Sequence, residues 1–220
     1  MNGNRKLRIL GIDPGSRLTG YGVIDVCGGK MRHVTHGTLR LSNTGGRVVI
    51  PLEDRLLRAH HGLSKIVELY SPDVVAVERV FFAKNAVSAL KLGQARGAII
   101  LSAAIHGLSV VEYSPSEVKS YVVGHGQADK EQVARMVEFW LGKQNFATSD
   151  ASDGLALAIC HAQVVTSFSG KNIQNTLDSE KWSAEKVQQR KRGGSIAQSI
   201  GVSEGEVGQA RRWRRKEIDR

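Results

Sequence analysis

Val74-Val75-Ala76-Val77-Glu78-Arg79-Val80 is a compact apolar run of the kind expected for a strand buried in the middle of a sheet. It carries one charged pair, Glu78 and Arg79. Upstream, Pro51 to Tyr70 has helical spacing, with Leu52, Leu56, Leu63, Ile66 and Val67 near one face, and Ser71-Pro72-Asp73 breaks it. Downstream, Asn85 to His106 reads as a long helix and Leu108 to Tyr113 as a further short strand. Two helical stretches flank the loop Val123-Gly124-His125-Gly126. Asp150 to Phe168 reads as a last helix, with Leu155, Ile159 and Ala162 as core positions. Toward the N-terminus, Leu7 to Ile12 is an apolar-rich run stopped at Asp13-Pro14-Gly15. Thr19 to Val26 and Arg32 to Leu41 supply two more strands, and the short gaps imply an antiparallel meander. A meander followed by strand–helix alternation predicts an α/β protein with a mixed five-stranded sheet flanked by helices.

A length of 220 residues suits one domain of ordinary size, or one domain plus a small appendage, and 41% hydrophobic residues suffice for a core. Lys+Arg total 31 against 21 Asp+Glu, a net charge of +10 that favours a polyanionic partner. Residues 171–220 hold 12 Lys+Arg and 7 Asp+Glu, so +5 of that charge lies in the last 50 residues. Composition changes near Ser167. The expected division is a globular domain over 1–168, a linker or helical tail over 169–192, and a basic extension over 193–220. Cys27 and Cys160 sit in apolar surroundings and read as reduced structural thiols. Met1 to Arg8 has no signal-peptide core, and the apolar stretch near Ala98 to Ile105 is too short to span a bilayer. A cytoplasmic protein without a membrane partner is expected.

Four carboxylates stand where solvation alone does not explain them. Asp13 ends an otherwise apolar strand, and Glu78 ends the most apolar one. Asp150 and Asp153 open the last helix with i, i+3 spacing and share a face. Carboxylates brought together repel unless a cation neutralises them. Such oxygen-rich clusters suit Mg²⁺, and two ions about 3.5–4 Å apart can activate water against a phosphodiester. Each acid also has a plainer reading: Asp13 opening a turn, Glu78 pairing with Arg79 or a lysine, Asp150 and Asp153 favouring a helix N-terminus.

The element order is that of the RNase H-like fold, and a set of motifs narrows it. Gly11-Ile12-Asp13-Pro14-Gly15-Ser16 with Thr19-Gly20-Tyr21-Gly22 resembles the opening of the RuvC resolvases. So do Val77-Glu78-Arg79-Val80-Phe81, Ala83-Lys84-Asn85 and Ala89-Leu90-Lys91-Leu92-Gly93-Gln94-Ala95-Arg96-Gly97. Val118-Lys119 with Val122-Val123-Gly124, and Asp150-Ala151-Ser152-Asp153 with Leu155-Ala156, complete a match over about residues 8 to 165. The resemblance implies an endonuclease that resolves four-way (Holliday) DNA junctions by paired, symmetric nicks, in DNA recombination and repair. It implies catalytic and metal-holding roles for Asp13, Glu78, Asp150 and Asp153, with two Mg²⁺ per site and Mn²⁺ as the alternative. It also implies a homodimer and cooperation with the RuvA–RuvB branch-migration complex. Small residues at Ala86, Ala89, Gly93 and Gly97 permit close approach along the helix from Asn85, either to a second subunit or to its own sheet.

The resemblance gives Phe81 a DNA-stacking role. Adjacent strand residues point oppositely, so one of Phe81 and Phe82 is expected in the core. Lys84, Lys119 and Lys130 read as phosphate contacts or as solvated lysines. In the extension, Ala197, Gly201 and Val207 have helix-turn-helix spacing, and Arg211, Arg212, Arg214 and Arg215 crowd around Trp213. A small helical DNA-binding appendage and a basic, partly disordered tail are both open. A non-catalytic junction binder would need the basic surface without four acids. An actin-like ATPase would need a second phosphate loop.

Overall fold

The computed structural model describes residues 6–43, 50–79, 86–143 and 149–168. Phe81, Lys84 and the extension from 169, with Arg211, Arg212, Arg214 and Arg215, lie outside the described residues. Strands β1 (Leu7–Asp13), β2 (Leu18–Cys27) and β3 (Lys30–Arg40) form the meander. They are followed by α1 (Leu52–Tyr70), β4 (Val74–Glu78), α2 (Ala86–Ile105), β5 (Ser109–Tyr113), α3 (Pro115–Val123), α4 (Lys130–Leu141) and α5 (Ser149–Phe168). The sheet order is β3-β2-β1-β4-β5, with β1–β2 and β2–β3 antiparallel and β1–β4 and β4–β5 parallel. This is the mixed five-stranded, RNase H-like arrangement that the element order predicts.

Local chemistry fixes the joints. Cys27 pairs with Lys30, so Gly28 and Gly29 form a two-residue hairpin turn with φ of 56° and 76°, the left-handed region that favours glycine. Helix α1 ends at Ser71 in the left-handed region, whose N–H bonds Val67 O at 2.8 Å, and Pro72 prevents continuation. Capping boxes open α3 (Ser114 with Glu117) and α4 (Asp129 with Gln132).

Two apolar layers sandwich the sheet. Leu10, Ile12, Val23, Val75 and Val77 face α1 and α2 through Leu63, Ile66, Ala95 and Ile99. Ile9, Ile24, Val74 and Ala76 face α5, which is covered by α3 and α4. Asp13 and Glu78 are in phase with Ile9 and with Val74 and Ala76, so both project into the α5 layer. At the far end of β2, Asp25 is 4% exposed and pairs with Lys6 (2.8 Å), Arg8 (2.8 Å) and Arg32 (3.3 Å). Its pKa lies below the usual carboxylate range; burial opposes that shift, and the bonds from Arg8, Lys6 and Arg32 outweigh it. A depressed acid stabilises the fold above its unfolded pKa and loses that contribution as pH falls through the folded value. Asp25→Asn is expected to cost about 3 kcal/mol at neutral pH by stranding the half-buried Arg8. The difference between the two proteins should shrink in acid, as read by urea unfolding at pH 7 and pH 3.

Candidate active site

β1 and β4 run side by side in parallel, with Ile12 paired to Val77, so Asp13 and Glu78 end adjacent strands on one edge of the sheet. Their carboxyls hydrogen-bond. Helix α5 brings Asp153 to them. The approach is close because glycines line both sides: a Cβ at Gly11 would lie 2.1 Å from Gly154 O, and one at Gly20 would lie 1.8 Å from Asp150 O. At Gly154 it would lie 2.6 Å from the backbone of Tyr21. The helix therefore rests directly on the backbones of β1 and β2, with its first turn beside the end of β1.

A cavity of about 260 Å³ opens there, lined by Asp13, Glu78, Lys119, Lys130 and Asp153 above an apolar floor that includes Val118, Val133 and Leu157. Three of the four expected acids thus converge on one cavity. Asp150, a turn earlier, is not in the lining, although its charge acts on both Asp13 and Lys130. Burial pushes Asp13 up to about 8, helped by the charges of Glu78, Asp153 and Asp150. Burial also raises Glu78, while its bond to Asp13 and the charges of Lys130 and Lys119 act against the rise. Lys130 Nζ sits 3.1 Å from Asp153 Oδ2, and that bond raises the lysine. Lys130 is the first residue of α4, where the helix dipole disfavours a cation. The pull of the acids across the cavity holds it there.

Of the plainer readings, Asp150 does stand in the first turn of α5 and lysine charges do act on Glu78, whereas its pairing with Arg79 is not seen. Arg79 does not pair with Glu78: it donates to Glu112 O at 3.2 Å and reaches Glu112 Oε2 at 3.8 Å. Asp13 bonds Glu78 rather than merely opening a turn. The sequence reading missed the glycines as contact points between α5 and the sheet. Their signal was the recurrence of Gly at 11, 20 and 22 in two strands otherwise rich in β-branched residues.

Among the described residues, no three His, Cys, Asp or Glu side chains come close enough to cage a metal unaided. The donor set nevertheless fits a hard cation. Its oxygens are carboxylates, they crowd enough to retain a proton, and a lysine ammonium lies against one of them. Mg²⁺ fits such an open site because it keeps several waters and takes only a few carboxylates plus a substrate phosphate. Among the described residues, no helix is long and apolar enough to cross a membrane.

The family described as "Crossover junction endodeoxyribonuclease RuvC" matches residues 9–161. The RuvC of Geobacter sulfurreducens is 51% identical over 156 residues, covering 71% of this chain and 92% of the relative. That of Hahella chejuensis is 49% identical over 155 residues, covering 70% and 87%. Among solved structures, Thermus thermophilus RuvC in complex with Holliday junction substrate superposes with a TM-score of 0.65 at 34% identity, covering 72% of this chain and 94% of that one. The yeast mitochondrial resolvase Ydc2, at 14% identity and a TM-score of 0.55, shares the fold.

Proposed function

This chain belongs to the RuvC family of crossover junction endodeoxyribonucleases, and from that premise we propose that it resolves four-way DNA junctions at the Asp13–Glu78–Asp150–Asp153 site. The observation that carries the reading is the convergence of Asp13, Glu78 and Asp153 with Lys119 and Lys130 on one cavity. Asp13, Glu78, Asp150 and Asp153 would hold two Mg²⁺ ions (or Mn²⁺), which would supply an activated water and stabilise the leaving oxygen. Asp13 and Glu78 present their oxygens from rigid strand ends, Asp150 stands in the first turn of α5, and Asp153 presents its carboxylate to the cavity a turn later. Lys119 and Lys130 place two ammonium groups on the cavity wall, where they balance the charge of the phosphate that enters. Phe81, three residues beyond Glu78, is read as a base-stacking side chain and Lys84 as a phosphate contact.

Two opposed strands of a two-fold junction call for two sites related by two-fold symmetry, so the acting form is read as a homodimer. Helix α2 supports this. Leu90 and Leu101 are more than 60% exposed, at 63% and 61%, and flank Gly93 and Gly97, where a Cβ would meet nothing within 4 Å. Packing on the helix's own sheet uses Ala95, Ile99 and Ala103 instead and leaves those glycines unexplained. Gly97→Glu is expected to sediment as a monomer, where the unchanged protein sediments as a dimer. Cooperation with the RuvA–RuvB complex rests on family resemblance.

The extension at 193–220 is read as a helix-turn-helix-like module that adds duplex affinity through Arg211, Arg212, Arg214 and Arg215. Deleting residues 171–220 should weaken junction binding and flatten its salt dependence, because each lost phosphate contact removes about 0.9 from the log–log slope. Unchanged affinity and slope would exclude the module. The functional reading itself is tested by mapping cuts on an end-labelled four-way junction in Mg²⁺. Paired nicks at symmetric positions on two opposed strands are expected; scattered or one-sided nicking would contradict it.

A further inference from the structure

Arg96 belongs to α2, between Gly93 and Gly97 of the outward face, yet its side chain is only 21% exposed and reaches the end of β4. Its Nε donates to the Glu78 carbonyl oxygen at 3.2 Å, and its Nη2 pairs with Glu112 Oε1 at 2.5 Å. Glu112 is shared. Arg79 reaches its other carboxylate oxygen at 3.8 Å and its carbonyl at 3.2 Å. The Arg79 N–H also donates to Tyr113 O at 2.7 Å, the bond that immediately follows Glu78 along the chain.

These contacts lie across the sheet from the catalytic cavity. Val110 of β5 packs in the layer of α1 and α2, and strand alternation puts Glu112 on the same side. The Glu78 side chain projects the other way, so Arg96 grips its backbone and not its carboxylate. Glu78 is the last residue of β4. A strand holds its residues by ladder bonds on both sides; past Val77 the β1 side ends, and only the β5 side continues, through the Arg79 N–H to Tyr113 O. A donor fixed on the carbonyl of residue 78 restricts its ψ, and with it the direction in which the carboxylate is carried.

We propose that Arg96 is a positioning residue for Glu78, its guanidinium clamping the Glu78 carbonyl and the Glu112 carboxylate so that the Glu78 side chain stands at bonding distance from Asp13. The inference rests on the reading of Asp13 and Glu78 as cation-holding carboxylates. Lysine cannot replace this arginine, because one ammonium lacks the planar fork that serves two acceptors at once. The same guanidinium joins the proposed dimer helix to the site.

Arg96→Lys in the full chain is the test, with two readouts. Mn²⁺ binding to the protein alone, followed by electron paramagnetic resonance, should weaken by about ten-fold, as is usual when a group that orients a ligand is lost. The Mg²⁺ concentration for half-maximal junction nicking should rise by about the same factor, while junction affinity in Ca²⁺ stays within about two-fold. Glu112→Gln, which keeps the fork and removes its ionic partner, should shift Mn²⁺ binding less and in the same direction. The double variant should be no worse than Arg96→Lys, since the two residues act through one contact. Wild-type Mn²⁺ affinity in Arg96→Lys overturns the proposal, as does an equal loss of junction affinity in Ca²⁺. If Arg96→Lys does not fold, unchanged Mn²⁺ binding in Glu112→Gln overturns it. The Mn²⁺ arm contains no DNA, so a wild type that cuts no junction counts against the functional reading and leaves Mn²⁺ to decide on Arg96.

Discussion

Gly11→Ala is expected to slow junction cleavage by about 10²-fold although residue 11 has no side chain in the cavity. The added Cβ would lie 2.1 Å from Gly154 O and 2.6 Å from Ala158 N, and both are backbone atoms of α5. Neither yields without moving the helix, and the helix is buried between the sheet and α3–α4. Ordinary overpacking costs about 1–3 kcal/mol because side chains rotate away. Here the whole element must retreat, so the destabilisation should reach or exceed the upper end of that range. A shift of about 1 Å in Asp150 and Asp153 relative to Asp13 and Glu78 costs about 10²-fold in rate. Thermal melting and a nicking assay check both effects. A variant with wild-type melting and wild-type rate would show that α5 does not depend on this contact.

Asp13→Asn carries the second large effect, and its two consequences have opposite signs. Cleavage should fall by at least about 10³-fold, because a neutral amide neither balances the charge of a cation nor replaces a carboxylate at the reacting phosphate. Metal-free stability should rise. Asp13 is pushed up to about 8 by burial and by its acidic neighbours. Between its unfolded pKa and that value the folded chain binds more protons than the unfolded chain, so stability falls as pH rises through the window. Asparagine removes this term. With a chelator present, the variant should melt above the wild type at pH 8 and close to it at pH 4.5. Loading the wild type with Mg²⁺ at pH 7 should release about one proton, measured as a buffer-dependent heat in calorimetry, and Asp13→Asn should release fewer. Equal melting curves across this pH range would remove the argument that the acids crowd.

Most of the scaffold was legible in the sequence because the elements are long and periodic. Val74–Glu78 reads as a central strand since nothing polar interrupts it, and α5 is bounded by the acids that open it. Asp13 and Glu78 stand out for a related reason: each ends an apolar strand, and the two belong to one set with Asp150 and Asp153. What stayed hidden depends on register between distant segments. The pairing of Arg79 with Glu112 rather than Glu78 follows from β4 and β5 lying parallel with Glu78 beside Tyr113. The contacts of Gly11 with Gly154 and of Gly20 with Asp150 need the depth of α5 on the sheet, which periodicity does not carry. The seat of Lys130 is set by the Asp129–Gln132 capping box, legible as a helix start but not as a pointer toward Asp153.

The most direct measurement compares a synthetic four-way junction with a linear duplex of the same sequence, with and without Mg²⁺, for the wild type and Asp13→Asn. The structure and the family predict nicking of the junction alone, only with the metal, and only by the wild type. Junction binding without cutting by the wild type in either Mg²⁺ or Mn²⁺ would contradict a catalytic site at Asp13 and Glu78, and would leave the carboxylates a structural role.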